Sequence, residues 1–177
     1  MIKKIIVAGV AALSWFSSAC AQNTSKELYE KFIETVNPKA SAIGFSQTGR
    51  RYAITSLGEG RESKKPVYYI AEIFVPDGDK TPTISFERNY KCKPTSAKVP
   101  IETRIIKVNG QKIEVVYGCT KKGLSEIFFP LTAKGRSFVR KAFLEVAYVF
   151  VQFDDEIVPF NTDGYEVLDE EEAGEVL

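Results

Sequence analysis

FFPLTAKGRSFVRKAFLEVAYVFVQF, Phe128 to Phe153, decides the fold class. It reads as the end of a strand, an amphipathic helix and then a strongly apolar strand. Phe138, Val139, Ala142, Phe143 and Val146 form one helical stripe, with Arg136, Arg140, Lys141 and Glu145 opposite. Gly135 weakens the first turn by about 1 kcal/mol relative to alanine, so the firm part of the helix is expected from Ser137. Ala147 to Phe153 then reads as strand, Asp154-Asp155 as a turn and Ile157 to Phe160 as a return strand.

Upstream of this unit the chain is mostly sheet. Thr103 to Val108, Asn109-Gly110 and Gln111 to Cys119 predict a two-residue type I′ hairpin in which Val108 faces Gln111 and Arg104 faces Val115. Ile113, Val115, Tyr117 and Cys119 then share a face. Val67 to Val75 is apolar on both alternations and predicts a central strand covered on both sides, and Thr83 to Tyr90 continues as strand. Ala42 to Gln47 and Arg51 to Leu57 flank a hairpin-like break, and Leu124 to Phe129 is another short strand. Thr24 and Glu27 have capping-box spacing ahead of Leu28, Tyr29, Phe32, Ile33 and Val36, which predicts a helix over Ser25 to Val36 docked on the sheet. The fold class expected is α+β. It is a mainly antiparallel sheet of roughly seven to nine strands, curled or sandwiched, with an N-terminal helix and a helix in the C-terminal half packed on it.

The first residues do not belong to that fold. Lys3 and Lys4 precede an apolar run of 12 residues, Ile5 to Phe16, and then small residues. This is the pattern of a secretory signal, and the run is shorter than the roughly 20 residues a spanning helix needs. Cleavage after Ala19-Cys20-Ala21 predicts a signal at 1–21, a single domain at 22–168 and an acidic tail at 169–177. The alternative is a lipoprotein in which Cys20 is kept and acylated, although Ser17 stands where such sites carry an aliphatic residue. The expected location is the periplasm or the exterior, with an outer-membrane lipoprotein as the alternative.

In an oxidising compartment Cys92 and Cys119 form an even pair, and a disulfide is expected between them, Cys92 reaching Cys119 from the strand before the hairpin. It would close a 28-residue segment, worth about 3.6 kcal/mol on loop-closure entropy.

Charge is unevenly spread. The formal net charge is +1, yet ten acidic residues and no Lys or Arg follow Phe153. Without Lys3 and Lys4, the segment before Asp154 carries 22 basic against 13 acidic residues. Lys91, Lys93, Lys98, Arg104, Lys107, Lys112, Lys121 and Lys122 form a candidate patch for an anionic partner, read against a solvated hairpin face or a dock for the acidic tail. Nucleic acid is not expected as a client in this compartment. The boundary between the basic body and the acidic end, at Phe153 and Asp154, is where a working surface is expected.

Catalytic signals are sparse. Histidine is absent, which removes the commonest general base and the Ser-His-Asp and Cys-His machineries. Two thiols without histidine leave a zinc set incomplete. The carboxylates that could hydrolyse a glycoside are Glu72, or Asp154, Asp155 and Glu156. For Glu72 the ordinary expectation is a Lys or Arg partner on a neighbouring strand. Aligning Gly164 with the glycine of a calcium loop places Asn161, Asp163 and Glu170 at ligand positions but puts Pro159 where the first aspartate is required. No catalytic residue, metal or cofactor is assigned.

From Thr132 onward, Phe138 and Ala142, then Val149 and Val151, then Phe160, Gly164 and Tyr165 resemble the C-terminal end of small bacterial envelope proteins. These are the invasion-associated locus B family and the TagO type of secretion accessory protein. The likeness covers about 35 residues at the C-terminal end and carries no catalytic motif; it implies a non-enzymatic periplasmic β-rich module. The function expected is an exported binding or adaptor protein acting through protein–protein contacts. The alternatives are a carboxylate-based hydrolase of envelope glycans and a lipid-anchored structural component of an envelope complex.

Overall fold

The computed structural model describes residues 24–34, 40–45, 52–59, 66–93, 102–120 and 122–175. In order these form helix α1 (24–34), strands β1 (Ala40–Ile43), β2 (Tyr52–Glu59), β3 (Pro66–Phe74), β4 (Thr83–Arg88), β5 (Glu102–Val108), β6 (Gln111–Cys119) and β7 (Glu126–Pro130), helix α2 (Ala133–Glu145), strands β8 (Tyr148–Phe153) and β9 (Glu156–Asn161), and helix α3 (Tyr165–Glu175). The expected signal at 1–21 lies outside the described residues, as does the segment from 46 to 51 between β1 and β2.

The β5–β6 hairpin lies between β7 and β8 in the sheet. Asn109 at φ 47° and Gly110 at φ 81° form the turn, and the register places Val108 opposite Gln111 and Arg104 opposite Val115, as the two-residue loop requires. All nine strands join one antiparallel sheet in the order β1-β2-β3-β4-β7-β6-β5-β8-β9. Two neighbours are far apart in sequence: β7 lies beside β4, and β8 beside β5. β3 was expected to be covered on both faces. Instead Val67, Tyr69, Ala71 and Ile73 are buried, while Tyr68 and Glu72 on the other face are exposed. The reason is that both helices of the C-terminal half pack on the inner side of the curl.

The sheet curls until its ends nearly meet. Thr55 on β2 donates its hydroxyl to the carbonyl of Pro159 on β9, and the amide of Phe45 donates to the carbonyl of Asp163 at 2.7 Å. This approach needs glycine. A Cβ on Gly44 would lie 2.7 Å from the Asp163 carbonyl oxygen, and Gly164 has φ +83° and backs onto Phe45. Pro159 has no N–H to offer along this edge, which suits a strand at the seam. Helix α1 covers the seam from outside. Tyr29 stacks on Tyr148 at 4.0 Å between ring centroids, Phe32 meets Phe150 edge-on, and the Ala42 amide donates to the Tyr29 hydroxyl at 3.4 Å.

Helices α2 and α3 close one end of the curl. Val139 and Phe143 from α2 and Tyr165 from α3 join Phe86, Phe153 and Phe160 in an aromatic core. Each large side chain buried there contributes about 1.5–3 kcal/mol of transfer free energy. Helix α2 begins at Ala133, earlier than the sequence suggests. The Thr132 hydroxyl caps it, accepting from the Gly135 amide at 3.0 Å. Gly135 is there for room: a Cβ would lie 3.1 Å from Thr132 Oγ1 and 3.3 Å from Ile113 Cγ2.

The acidic end also differs from expectation. Residues 169–175 are the body of α3, not a tail. Asp169 is buried against α2, where Arg140 and the Tyr165 hydroxyl hold its carboxylate.

Candidate functional site at the mouth and outer face of the sheet

Because every pairing is antiparallel, the ends of β4, β6 and β8 and the starts of β3, β5, β7 and β9 meet at the end of the curl opposite α2 and α3. The inward alternation of each strand continues there with polar groups. Arg88 follows Phe86, Tyr117 follows Val115, Glu126 precedes Phe128, Arg104 precedes Ile106 and Glu156 precedes Val158, each two residues from a core position.

Arg88 is the hub, at 6% exposure. Its Nε donates to Glu126 Oε2, one Nη donates to Asp154 Oδ2 at 3.0 Å, and the other lies 3.8 Å from Glu156 Oε2. Its guanidinium carbon sits 4.7 Å from the centre of the Tyr90 ring and 5.3 Å from that of Phe128. Three tyrosines complete the set. Tyr117 donates to Glu126 Oε1 at 2.8 Å, Tyr90 donates to Glu156 Oε1 at 2.7 Å, and Tyr69 donates to Glu156 Oε2. Arg104 lies over the Tyr117 ring at 3.4 Å, donates to Glu102 at 2.7 Å and stands 3.8 Å from Glu126.

Burial, followed by the bond to Glu156, pushes the Tyr69 phenol far above its ordinary range. Tyr90 and Tyr117 are raised in the same way, burial first and then the bonds to Glu156 and Glu126. Burial alone would lower the Arg88 guanidinium, but the bonds and charges of Glu126 and Asp154 outweigh it and hold it up. Both oxygens of Glu126 and both of Glu156 are therefore occupied by donors. Chemically this network pairs the buried Arg88 charge with carboxylates that phenols also bond, while the Asp154 side chain stays 67% exposed.

The disulfide forms as expected and sits at the rim. Cys92 and Cys119 are bonded with their Cα atoms 5.9 Å apart, Cys119 is directly opposite Glu126 on β7, and the Cys92 amide donates to the Gly123 carbonyl at 3.2 Å. The segment leaving β4 is thereby pinned to the hairpin.

Other sequence candidates are dispersed. Asp154 and Glu156 meet at Arg88, so the boundary between basic body and acidic end falls at this mouth; Asp155 is exposed. Of the basic patch, Lys98 and Lys121 lie outside the described residues. Arg104 points inward, whereas Lys107 and Lys112 face each other on the outer surface, and Lys91, Lys93 and Lys122 are exposed beyond the strand ends. Pro159 is buried in β9, Asn161 and Asp163 bond to each other, and Glu170 is exposed on α3. No group of three or more His, Cys, Asp or Glu side chains among the described residues is arranged to hold a metal ion. Glu72 does not find the expected cation among the described residues. It sits opposite Tyr52 and Ser85, and burial, then the charge of Glu87, raise its carboxyl above the usual range.

Glu72 belongs to a second feature, which the sequence conceals. On the outer face Ile43, Ile54, Ile70, Glu87 and Ile127 stand directly opposite one another across β1, β2, β3, β4 and β7. Beside this row Phe74 and Phe129 touch at 5.2 Å, with Thr83 and Ser85 buried on the same face. Ile43 is 61% exposed and Tyr68 42%. Alternation in single strands shows such residues as a second face. Only the register lines them up.

Fold and site together define an α+β protein built on a nearly closed antiparallel sheet, with a self-satisfied polar mouth and a partly apolar outer face. The chain matches no known family model, no curated protein and no solved structure.

Proposed function

We propose that this chain is an exported binding or adaptor protein of the bacterial envelope that acts through protein–protein contacts, a module of the kind its C-terminal segment resembles. The observation that carries this reading is the row of isoleucines across the outer face. Ile43 is exposed and Ile54, Ile70 and Ile127 are half-buried, with Glu87 set among them, and apolar surface of this kind mixed with polar groups is a common mark of a protein contact. Export is supported by the Cys92–Cys119 disulfide, which persists in oxidising compartments. Among the described residues no helix is long and apolar enough to cross a membrane.

A photo-crosslinking side chain placed at Ile54, Ile70 or Ile127 in the native envelope tests the reading. Adducts of one defined mass at these positions, and none at Asn109, are expected. Absence of any adduct on the face would end it, and loss of envelope-glycan hydrolysis in Glu156→Gln would put a hydrolase in its place. The mass of the mature N-terminus separates a free chain from one anchored through Cys20.

A further inference from the structure

We infer that the outer face takes a partner segment presenting one Lys or Arg side chain between apolar ones, with the cation seated between Glu72 and Glu87. This rests on the binding reading above and names the chemistry of the partner.

Glu72 stands opposite Ser85 and Glu87 opposite Ile70, so the two carboxylates are diagonal neighbours on adjacent strands. Long side chains reach across such a diagonal, so the two charges repel. Neither has a cationic partner among the described residues, although Arg88, Arg104, Arg136, Arg140 and Lys141 all have acidic ones. Ile70 lies between them in β3 and β4 register, with Ile54 and Ile127 on either side. Partial shielding from water by the sheet and repulsion by Glu87 raise the Glu72 carboxyl even though its side chain reaches the surface, and a cation between the two would offset both effects.

The same geometry argues against other occupants. Two carboxylates repel a phosphate, whether free or on a lipid. A second copy laid face to face would gather four carboxylates in one apolar contact. Two carboxylates are also too few for the six or more oxygens of a calcium site.

The test is an NMR titration of the isotopically labelled protein with an extended peptide that carries one lysine between valines at every second position, threonines filling the alternate positions, and with its counterpart in which glutamate replaces the lysine. The lysine peptide is expected to shift the amides of Ile54, Ile70 and Ile127. Its affinity should fall about fivefold in the Glu72→Gln/Glu87→Gln double variant and should weaken with salt. Shifts confined to the mouth, equal binding of the glutamate peptide, or unchanged affinity of the double variant would overturn the inference. Crosslinking separates the two levels. An adduct at Ile70 that survives the double substitution keeps the binding reading and removes the cation, whereas no adduct on the face removes the binding reading itself.

Discussion

Arg140 on α2 grips Asp169 on α3 through both carboxylate oxygens, with N–H···O distances of 2.6, 2.8 and 3.2 Å, and Asp169 is only 2% exposed. The two partners are not equivalent, because the Arg140 side chain is 32% exposed and the Asp169 side chain 3%. Removing the arginine strands a buried carboxylate, whereas removing the aspartate leaves a guanidinium that water can reach. Arg140→Ala is therefore expected to cost about 3 kcal/mol and Asp169→Asn clearly less. Urea unfolding of both variants checks the order.

At the mouth, Arg88 is, among the described residues, the one arginine donating to Glu126, a residue 7% exposed. Arg88→Met leaves Glu126 with the Tyr117 hydroxyl and the more distant Arg104, so about 3 kcal/mol of stability should go with it. Adding Glu126→Gln in the same chain should recover part of that loss, since the stranded charge is then gone. A double-mutant cycle by denaturant unfolding reads the coupling.

Tyr69 and Tyr165 have phenols raised far above the ordinary value, both chiefly by burial. A raised native value means that the unfolded chain releases these protons first. Their contribution is fully present below about pH 10 and is lost as pH rises beyond it. The urea midpoint should therefore fall between about pH 9 and about pH 11, and less steeply in Tyr165→Phe. Phenolate absorbance in the native protein should lack these two groups until the chain unfolds.

The Cys92–Cys119 bond spans a sequence separation of 27. Its reduction, or replacement of both cysteines by serine, should lower stability by up to about 3.6 kcal/mol. The comparison is unfolding with and without a reductant, using the double serine variant as the reductant-insensitive control.

Gly44 approaches the backbone and Cβ of Asp163 too closely for any side chain. The Phe45 amide bonds to the same carbonyl, so the contact cannot simply back away. Gly44→Ala should cost about 1–3 kcal/mol and loosen the seam. Faster amide exchange at Phe45 and in β9, with the β5–β6 hairpin unchanged, is the expected signature.

Local signals were readable wherever the physics is local. Asn109-Gly110 and the alternation around it fix the register of β5 on β6, because a two-residue turn allows one pairing only. The start of α2 is not legible locally, because Gly135 reads as a weak helix position although Thr132 caps the turn and Ile113 fills the space above it. Nor is the helical state of residues 169–175, because an acidic run reads as solvated, while Arg140, the partner that buries Asp169, lies 29 residues upstream.

By itself, the sequence pointed to the α+β class, the hairpin, the pairing of Cys92 with Cys119 and the amphipathic helix between Phe128 and Phe153, which rest on short-range periodicity or, for the cysteines, on the two that lie outside the expected signal. Tertiary structure alone decided that β7 lies beside β4 and β8 beside β5. That order brings Arg88, Glu126 and Glu156 together at one mouth and leaves Glu72 and Ile43 exposed, and Glu87, Ile54, Ile70 and Ile127 half-buried, on the face behind it. Alternation shows which way a side chain points from its own strand. Which residue it meets depends on the neighbouring strand, and long-range pairing sets that neighbour.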